Sequence, residues 1–352
     1  MNKKRITFLL ILFILLTVNS YSEEFVGHSE ENVVDVYDTD GEYIFSTAMG
    51  IVSGDRYISE ANIEYIVKEI NLNKGIAQNL GRIDYSGVDL LKTNIPMLTV
   101  DKKVIGLYNT HNDESYKPGP TNVNGQGEVH TVAKSLKKAL ESKGIKVILS
   151  NNLHLPHDGA AYERSRATAM DLVKNGTDAV FDIHRDAVPN KNYYLKKVNG
   201  KLISQVRLVV GRQNQNEEVN NQFALSLKKI ADKKYPGLIK GIFYGHGSYN
   251  QQMSTRALLF EFGTHVTTEG QAEASAVMLA DSINTLLYGG EGNEPFVSKK
   301  SVNNSSFRVV AWILGLTILG VLVFLFINEG SWAGVLKRLK GFISREIIDK
   351  NE

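Results

Sequence analysis

The sequence predicts an α/β protein, a mostly parallel sheet flanked by helices, with a small N-terminal β-rich accessory domain before it and a C-terminal transmembrane helix after it. Between residues 103 and 288, short apolar runs alternate with longer segments whose apolar residues recur at helical spacing, the pattern of strands joined by crossover helices. From 32 to 97 the runs are shorter and alternate with period two around turn residues. Val309 to Ile327 is an uncharged apolar run, long enough at about 1.5 Å per residue to span about 30 Å of hydrocarbon.

Composition narrows the function. The chain has 352 residues, 43% of them apolar, enough for a sizeable core. Its 40 Lys and Arg against 38 Asp and Glu leave a formal charge of +2, which argues against a nucleic-acid partner. With no cysteine, disulfides and thiolate metal sites are excluded, so any metal would need His, Asp or Glu ligands.

The elements follow in order. Residues 1–22 place the basic Met1-Asn2-Lys3-Lys4-Arg5 before an apolar stretch, which predicts a signal peptide or N-terminal anchor. Residues 32–97 form the β-rich domain: Val33 to Tyr37 and Tyr43 to Phe45 flank an Asp40-Gly41 turn as a hairpin, and Arg56 to Ile58, Ile63 to Ile70 and Gly75 to Leu80 continue it. Asp84 to Val100 reads as a linker.

The main domain, 103–288, opens with an apolar run from Lys103 that reads as a strand delivering His111. A helix from Glu128 to Lys143 carries the stripe Val129, Val132, Ala133, Leu136 and Leu140, and Gly144 stops it. Strands then follow at 145–149, 179–184, 205–211 and 256–261, with helices at 160–175, 215–233 and 272–287. Residues 289–306, rich in Gly, Asn and Ser, read as a flexible tether to the transmembrane helix at 307–327. In the tail, 328–352, Lys337, Arg338, Lys340 and Arg345 alternate with apolar residues, which predicts a cytoplasmic amphipathic helix and an extracytoplasmic body at the cell membrane.

Three strands end in His111, His184 and Glu261, and a helix opens with Glu128. In such a sheet, ligands gather beyond the carboxyl ends of the strands, so all four can converge on one rim. Imidazoles and carboxylates are what zinc accepts when thiolates are absent, and an open coordination position suits a hydrolase. Glu261 is the candidate general acid/base. Each residue has a plainer reading: a strand-end histidine often serves as a structural hydrogen bonder, and Glu128 can favour a helix N-terminus through the dipole. Asp182 and Asp186 bracket His184, where they can orient its ring or a neighbouring arginine. Arg164 and Arg166 open a helix near the same rim, with surface pairing as their plainer role. His154 and His157 share a loop with Asp158 and can line a groove, while His130, His246 and His265 read as ordinary loop or helix histidines.

Four runs carry a family resemblance: Tyr108-Asn109-Thr110-His111-Asn112-Asp113-Glu114-Ser115-Tyr116, Ala161-Tyr162-Glu163-Arg164-Ser165-Arg166, Phe181-Asp182-Ile183-His184-Arg185-Asp186-Ala187 and Leu258-Leu259-Phe260-Glu261-Phe262-Gly263. Through them the domain resembles the stage II sporulation protein P family, membrane-bound cell-wall hydrolases related to zinc-dependent N-acetylmuramoyl-L-alanine amidases. The resemblance covers about Lys103 to Leu287, and the stretch from Val33 to Leu80 is similar to the family's upstream region. It implies an amidase-like fold and Zn2+ held by His111, Glu128 and His184, with Glu261 as acid/base. Glu114, three residues beyond His111, is a rival to Glu128. Arg185, with Glu114, Arg164, Arg166, Asp182 and Asp186, would support the ligands or touch substrate.

The substrate implied is peptidoglycan, cut between N-acetylmuramic acid and the first alanine of the stem peptide, in sporulation engulfment or septal wall remodelling. A lytic transglycosylase of the stage II sporulation protein D type is the implied partner. The membrane span and basic tail depart from the family pattern. Two other readings share the sequence: a catalytically silent wall-binding scaffold, and a zinc endopeptidase that cuts peptide cross-links.

Overall fold

A computed structural model describes residues 33–83, 85, 103–289 and 324–338. Residues 1–299 and 300–352 are separate compact units. In the first, the strands are β1 (Val34–Asp38), β2 (Tyr43–Thr47), β3 (Arg56–Ser59), β4 (Ile63–Asn71), β5 (Lys74–Arg82), β6 (Val104–Tyr108), β7 (Lys146–Leu149), β8 (Ala179–Asp186), β9 (Leu195–Val198), β10 (Lys201–Ser204), β11 (Val206–Gly211), β12 (Ile239–Gly245) and β13 (Ala257–Thr264). The helices are α1 (Val129–Glu141), α2 (Ala161–Lys174), α3 (Glu217–Lys234) and α4 (Glu269–Tyr288).

Among the described residues, one 11-stranded sheet runs in the order β2-β1-β5-β4-β3-β12-β11-β13-β8-β6-β7. It is mixed, which corrects the expectation of a mostly parallel sheet. β6, β7, β8 and β13 run parallel to their neighbours within that group, but β11 is antiparallel to β13 and β12 is antiparallel to β3. The cause is local. A parallel return needs a crossover of a dozen or more residues, usually helical. The chain between β8 and β11 is instead spent on the β9–β10 hairpin, so β11 starts at the edge where β8 ends.

The N-terminal strands do not form a sheet of their own. β3 pairs with β12 from Arg56↔Tyr244 to Ser59↔Gly241, which makes the expected accessory strands a continuation of the main sheet. Cross-strand register places Tyr57, Phe243, Val209 and Leu259 side by side on one face, where Val36, Phe45 and Ala77 pack over them. The Phe45 and Tyr57 rings stack at 4.3 Å. The opposite face, with Phe181, Leu208, Ile242 and Phe260, is covered by helices: the α1 stripe Val129, Val132, Ala133, Leu136 and Leu140 is fully buried there, with Phe223 of α3 and Leu279 of α4.

In the second unit, residues 324–329 and 332–338 are helical. No helix among the described residues is long and apolar enough to cross a membrane, which corrects the expected cell-membrane placement with an extracytoplasmic body and cytoplasmic tail. The described helical residues 324–329 end at Gly330, whose φ of +65° is left-handed. The expected signal at 1–22, residues 290–306 of the tether and residues 307–323 of the span lie outside the described residues.

Candidate metal centre

The chain leaving β6 passes directly into a buried loop, Asn109 to Tyr116. The Asp182 carboxylate on β8 fastens it, accepting from the Thr110 backbone N–H at 2.9 Å and the Thr110 hydroxyl at 2.7 Å. Asn109 Nδ2 donates to the Ile183 carbonyl at 2.7 Å. His184 follows Asp182 by two residues, so both side chains stand on the same face of β8.

Three of these side chains meet. Glu114 Oε1 lies 3.3 Å from His111 Nδ1 and 3.5 Å from His184 Nδ1, and all three residues are fully buried. One ligand atom from each lies within 4.8 Å of the others. The other carboxylate oxygen, Glu114 Oε2, accepts from the Arg185 backbone N–H at 2.9 Å. Two imidazole nitrogens and a carboxylate oxygen are a donor set that zinc accepts without thiolates, and they fit such an ion here. Behind the site, Asp182 Oδ1 is 2.9 Å from His184 Nε2, which leaves Nδ1 as the nitrogen facing Glu114.

Charge follows the same layout. Burial, with the adjacent His157, holds the His111 pKa well below the ordinary histidine value, so this imidazole stays neutral. Burial also opposes protonation of His184, but the Asp182 and Glu114 carboxylates outweigh it and raise its pKa well above the usual value. Burial, then the neighbouring Asp186, pushes Glu261 well up, against the opposing pull of His184.

Glu261 stands beside His184 in the β13/β8 register and beside Arg207 in the β11/β13 register, fully buried. It is therefore next to the three-residue cluster and not within it. Glu128, half-buried at the start of α1, is elsewhere: its Oε2 accepts from the Tyr116 backbone N–H at 2.8 Å, and its own N–H donates to the Ser115 hydroxyl at 3.0 Å. Its carboxylate thus closes the segment 115–128 into a strap. The Arg185 guanidinium, fully buried, pins that strap from inside, donating to the carbonyls of Ser115 and Thr121 and to Asn122 Oδ1. Gly127 brings the strap back onto the ligand loop. A Cβ there would sit 2.1 Å from the Glu114 carbonyl oxygen, so only glycine allows the approach.

The remaining candidates divide. Arg164 donates to the carbonyls of His154 and Pro156 and to Asp158, shaping the loop beside the site, whereas Arg166 is exposed on α2. His154 sits between the Asn109 carbonyl and the Thr168 hydroxyl as a structural brace. His157 comes to the centre: its ring stacks on His111 at 4.0 Å and its Nδ1 is 2.8 Å from Asp113. Tyr162 packs edge-on to His111 at 5.3 Å. His130 meets Asn112, His246 lies 3.4 Å from Asp55, and His265 adjoins Thr264.

Of the two roles its place beside His184 allows, Asp186 serves an arginine. It accepts from Arg207 and the Tyr194 hydroxyl, each at 2.8 Å, and from the backbone N–H groups of Ala48 and Ala187. Arg207 in turn donates to the Ser46 carbonyl and the Tyr193 hydroxyl. Sequence reasoning passed over Arg207, although a lone cation among Val206, Leu208, Val209 and Val210 signals a buried partner.

The family model described as stage II sporulation protein P matches residues 55–284. Stage II sporulation protein P of Bacillus subtilis (strain 168) is 33% identical over 214 residues, covering 55% of this chain and 53% of that protein, so the match spans about half of the relative's length. Among solved structures, the N-acetylmuramyl-L-alanine amidase Ami1 from Mycobacterium smegmatis is similar with a TM-score of 0.33 at 13% identity, covering 51% of this chain and 94% of that one. N-acetylmuramoyl-L-alanine amidase AmiC2 of Nostoc punctiforme has a TM-score of 0.31 at 14% identity, over 51% and 92%.

Proposed function

The chain belongs to the stage II sporulation protein P family, and on that premise we propose that it is a zinc-dependent N-acetylmuramoyl-L-alanine amidase acting on peptidoglycan during sporulation. The observation that carries this reading is the convergence of His111, Glu114 and His184 beside the buried carboxylate of Glu261. Those three residues would hold the metal. When bound, zinc supplies a Lewis acid that polarises the scissile carbonyl and acidifies water. Glu261, held in the strand register next to His184, accepts the proton of the attacking water and returns it to the leaving alanine nitrogen. Asp182 fixes which His184 nitrogen faces the ion, and Arg185 holds the Glu114 carboxylate through its backbone N–H.

The test is metal analysis of the purified chain together with release of stem peptides from isolated wall. Stoichiometric zinc and release are expected for the wild type, and loss of both for His184→Ala. Glu261→Gln should keep zinc while release falls by about 10²-fold or more. Release unchanged by His184→Ala would sink the enzyme reading. Mass spectrometry of the products separates the amidase from an endopeptidase, which would leave muramoyl-alanine bonds intact.

A further inference from the structure

A groove of about 570 Å³ opens beside the metal centre, a size suited to a small ligand. Its end nearest the centre is formed by His157 and Asp113. The His157 ring is fixed there on both sides, stacked on His111 at 4.0 Å and held by Asp113 at 2.8 Å. A molecule seated in the groove therefore ends against a residue that touches the ligand set. The far side is contributed by the strap, through Asn122, Val123 and Asn124, and by Leu155 and Pro156 of the opposite loop. Both walls are fastened: Arg185 donates to Asn122 Oδ1, and Arg164 donates to the carbonyls of His154 and Pro156.

The lining chooses between the two arms of a muramoyl-peptide substrate. A stem peptide is rich in carboxylates, and among the described residues that line the groove there is no lysine or arginine, while Asp113 adds negative charge. A neutral N-acetylated sugar has the opposite needs. Its hydroxyl and acetamido groups want donors and acceptors without net charge, which two asparagines supply, and its C–H face wants apolar surface, which Val123, Leu155 and Pro156 supply. We infer that this groove is the glycan subsite, seating a neutral N-acetylhexosamine of the wall strand with its substituted end toward His157 and His111. This deepens the proposed amidase reading and rests on it, since that reading supplies the two-armed substrate.

The experiment titrates the full zinc-loaded chain by calorimetry with two probes, the neutral trimer of N-acetylglucosamine and a free stem peptide. The wild type should bind the trimer, Asn124→Trp, which fills the groove, should weaken it at least tenfold, and Asn124→Ala should weaken it less. Stem-peptide affinity should be unaltered by both. No binding of the trimer, or an Asn124→Trp effect on the peptide in its place, overturns the subsite. Stem-peptide release from wall is assayed in parallel. Intact release with trimer binding insensitive to Asn124 removes the subsite alone, whereas trimer binding that Asn124→Trp weakens, without any release, removes the hydrolase reading and leaves a saccharide-binding groove.

Discussion

Asp182 Oδ1 lies 2.9 Å from His184 Nε2, and the same carboxylate accepts two hydrogen bonds from Thr110 in the loop that carries His111 and Glu114. One side chain thus sets the orientation of one histidine and the position of the segment that bears His111 and Glu114. Asp182→Asn is expected to lower zinc affinity by about 10–100-fold. Competition with a chromophoric chelator measures it, and excess zinc should restore wall digestion.

The two candidate glutamates separate in metal binding. Glu114→Gln should strip zinc from the purified chain, because the carboxylate oxygen between His111 and His184 is replaced by an amide. Glu128→Gln should retain zinc, since its carboxylate serves the Tyr116 N–H. Elemental analysis of the two variants decides, and the reverse pattern would return Glu128 to the ligand set.

The Asp186–Arg207 pair is a stability element. Both side chains are fully buried, so Arg207→Met leaves an uncompensated carboxylate and should cost about 3–5 kcal/mol. The double variant Asp186→Asn/Arg207→Met should cost less than the sum of its singles, because neither charge of the pair is left without the other. Urea denaturation of the four proteins gives the coupling.

Lys240 makes stability depend on alkaline pH. Its ammonium sits 3.9 Å from the centre of the Tyr193 ring, and burial, then the nearby Arg207 charge, lowers its pKa to about 8. Below that pH it is protonated in both folded and unfolded chains. Between about 8 and about 10.4, the unfolded chain still holds the proton that the folded chain has released, so folding stability rises with pH across that window. The unfolding free energy of the wild type minus that of Lys240→Met should climb between pH 8.5 and 10, and a flat or falling difference would contradict the assignment.

Much of this was legible from sequence. The strands that carry the site were readable from apolar segments meeting polar residues, and the α1 stripe gave both the helix and its buried face, but the strand ends were not: β6 stops at Tyr108, short of His111, while β8 and β13 run on past His184 and Glu261 to Asp186 and Thr264. The choice between Glu114 and Glu128 was not readable. Outside a helix, a spacing of three residues says nothing about direction, and here the loop folds back so that Glu114 returns to His111. β12 escaped because its Gly241 and Gly245 break the apolar run. Arg207 escaped because it begins an antiparallel strand, and only the reversal of β11 brings it to the rim where β8 and β13 end.

The pairing of β3 with β12 has a practical consequence. A fragment trimmed to begin at residue 103 would bare the edge of β12 from Gly241 to Tyr244, a row of backbone donors and acceptors ready to take a strand from another chain. It would also strip the Ser46 carbonyl from Arg207 and the Ala48 N–H from Asp186. Such a fragment carries His111, Glu114, His184 and Glu261 and yet is built to aggregate, so the smallest soluble form of this protein has to include the strands that contribute no residue to that cluster.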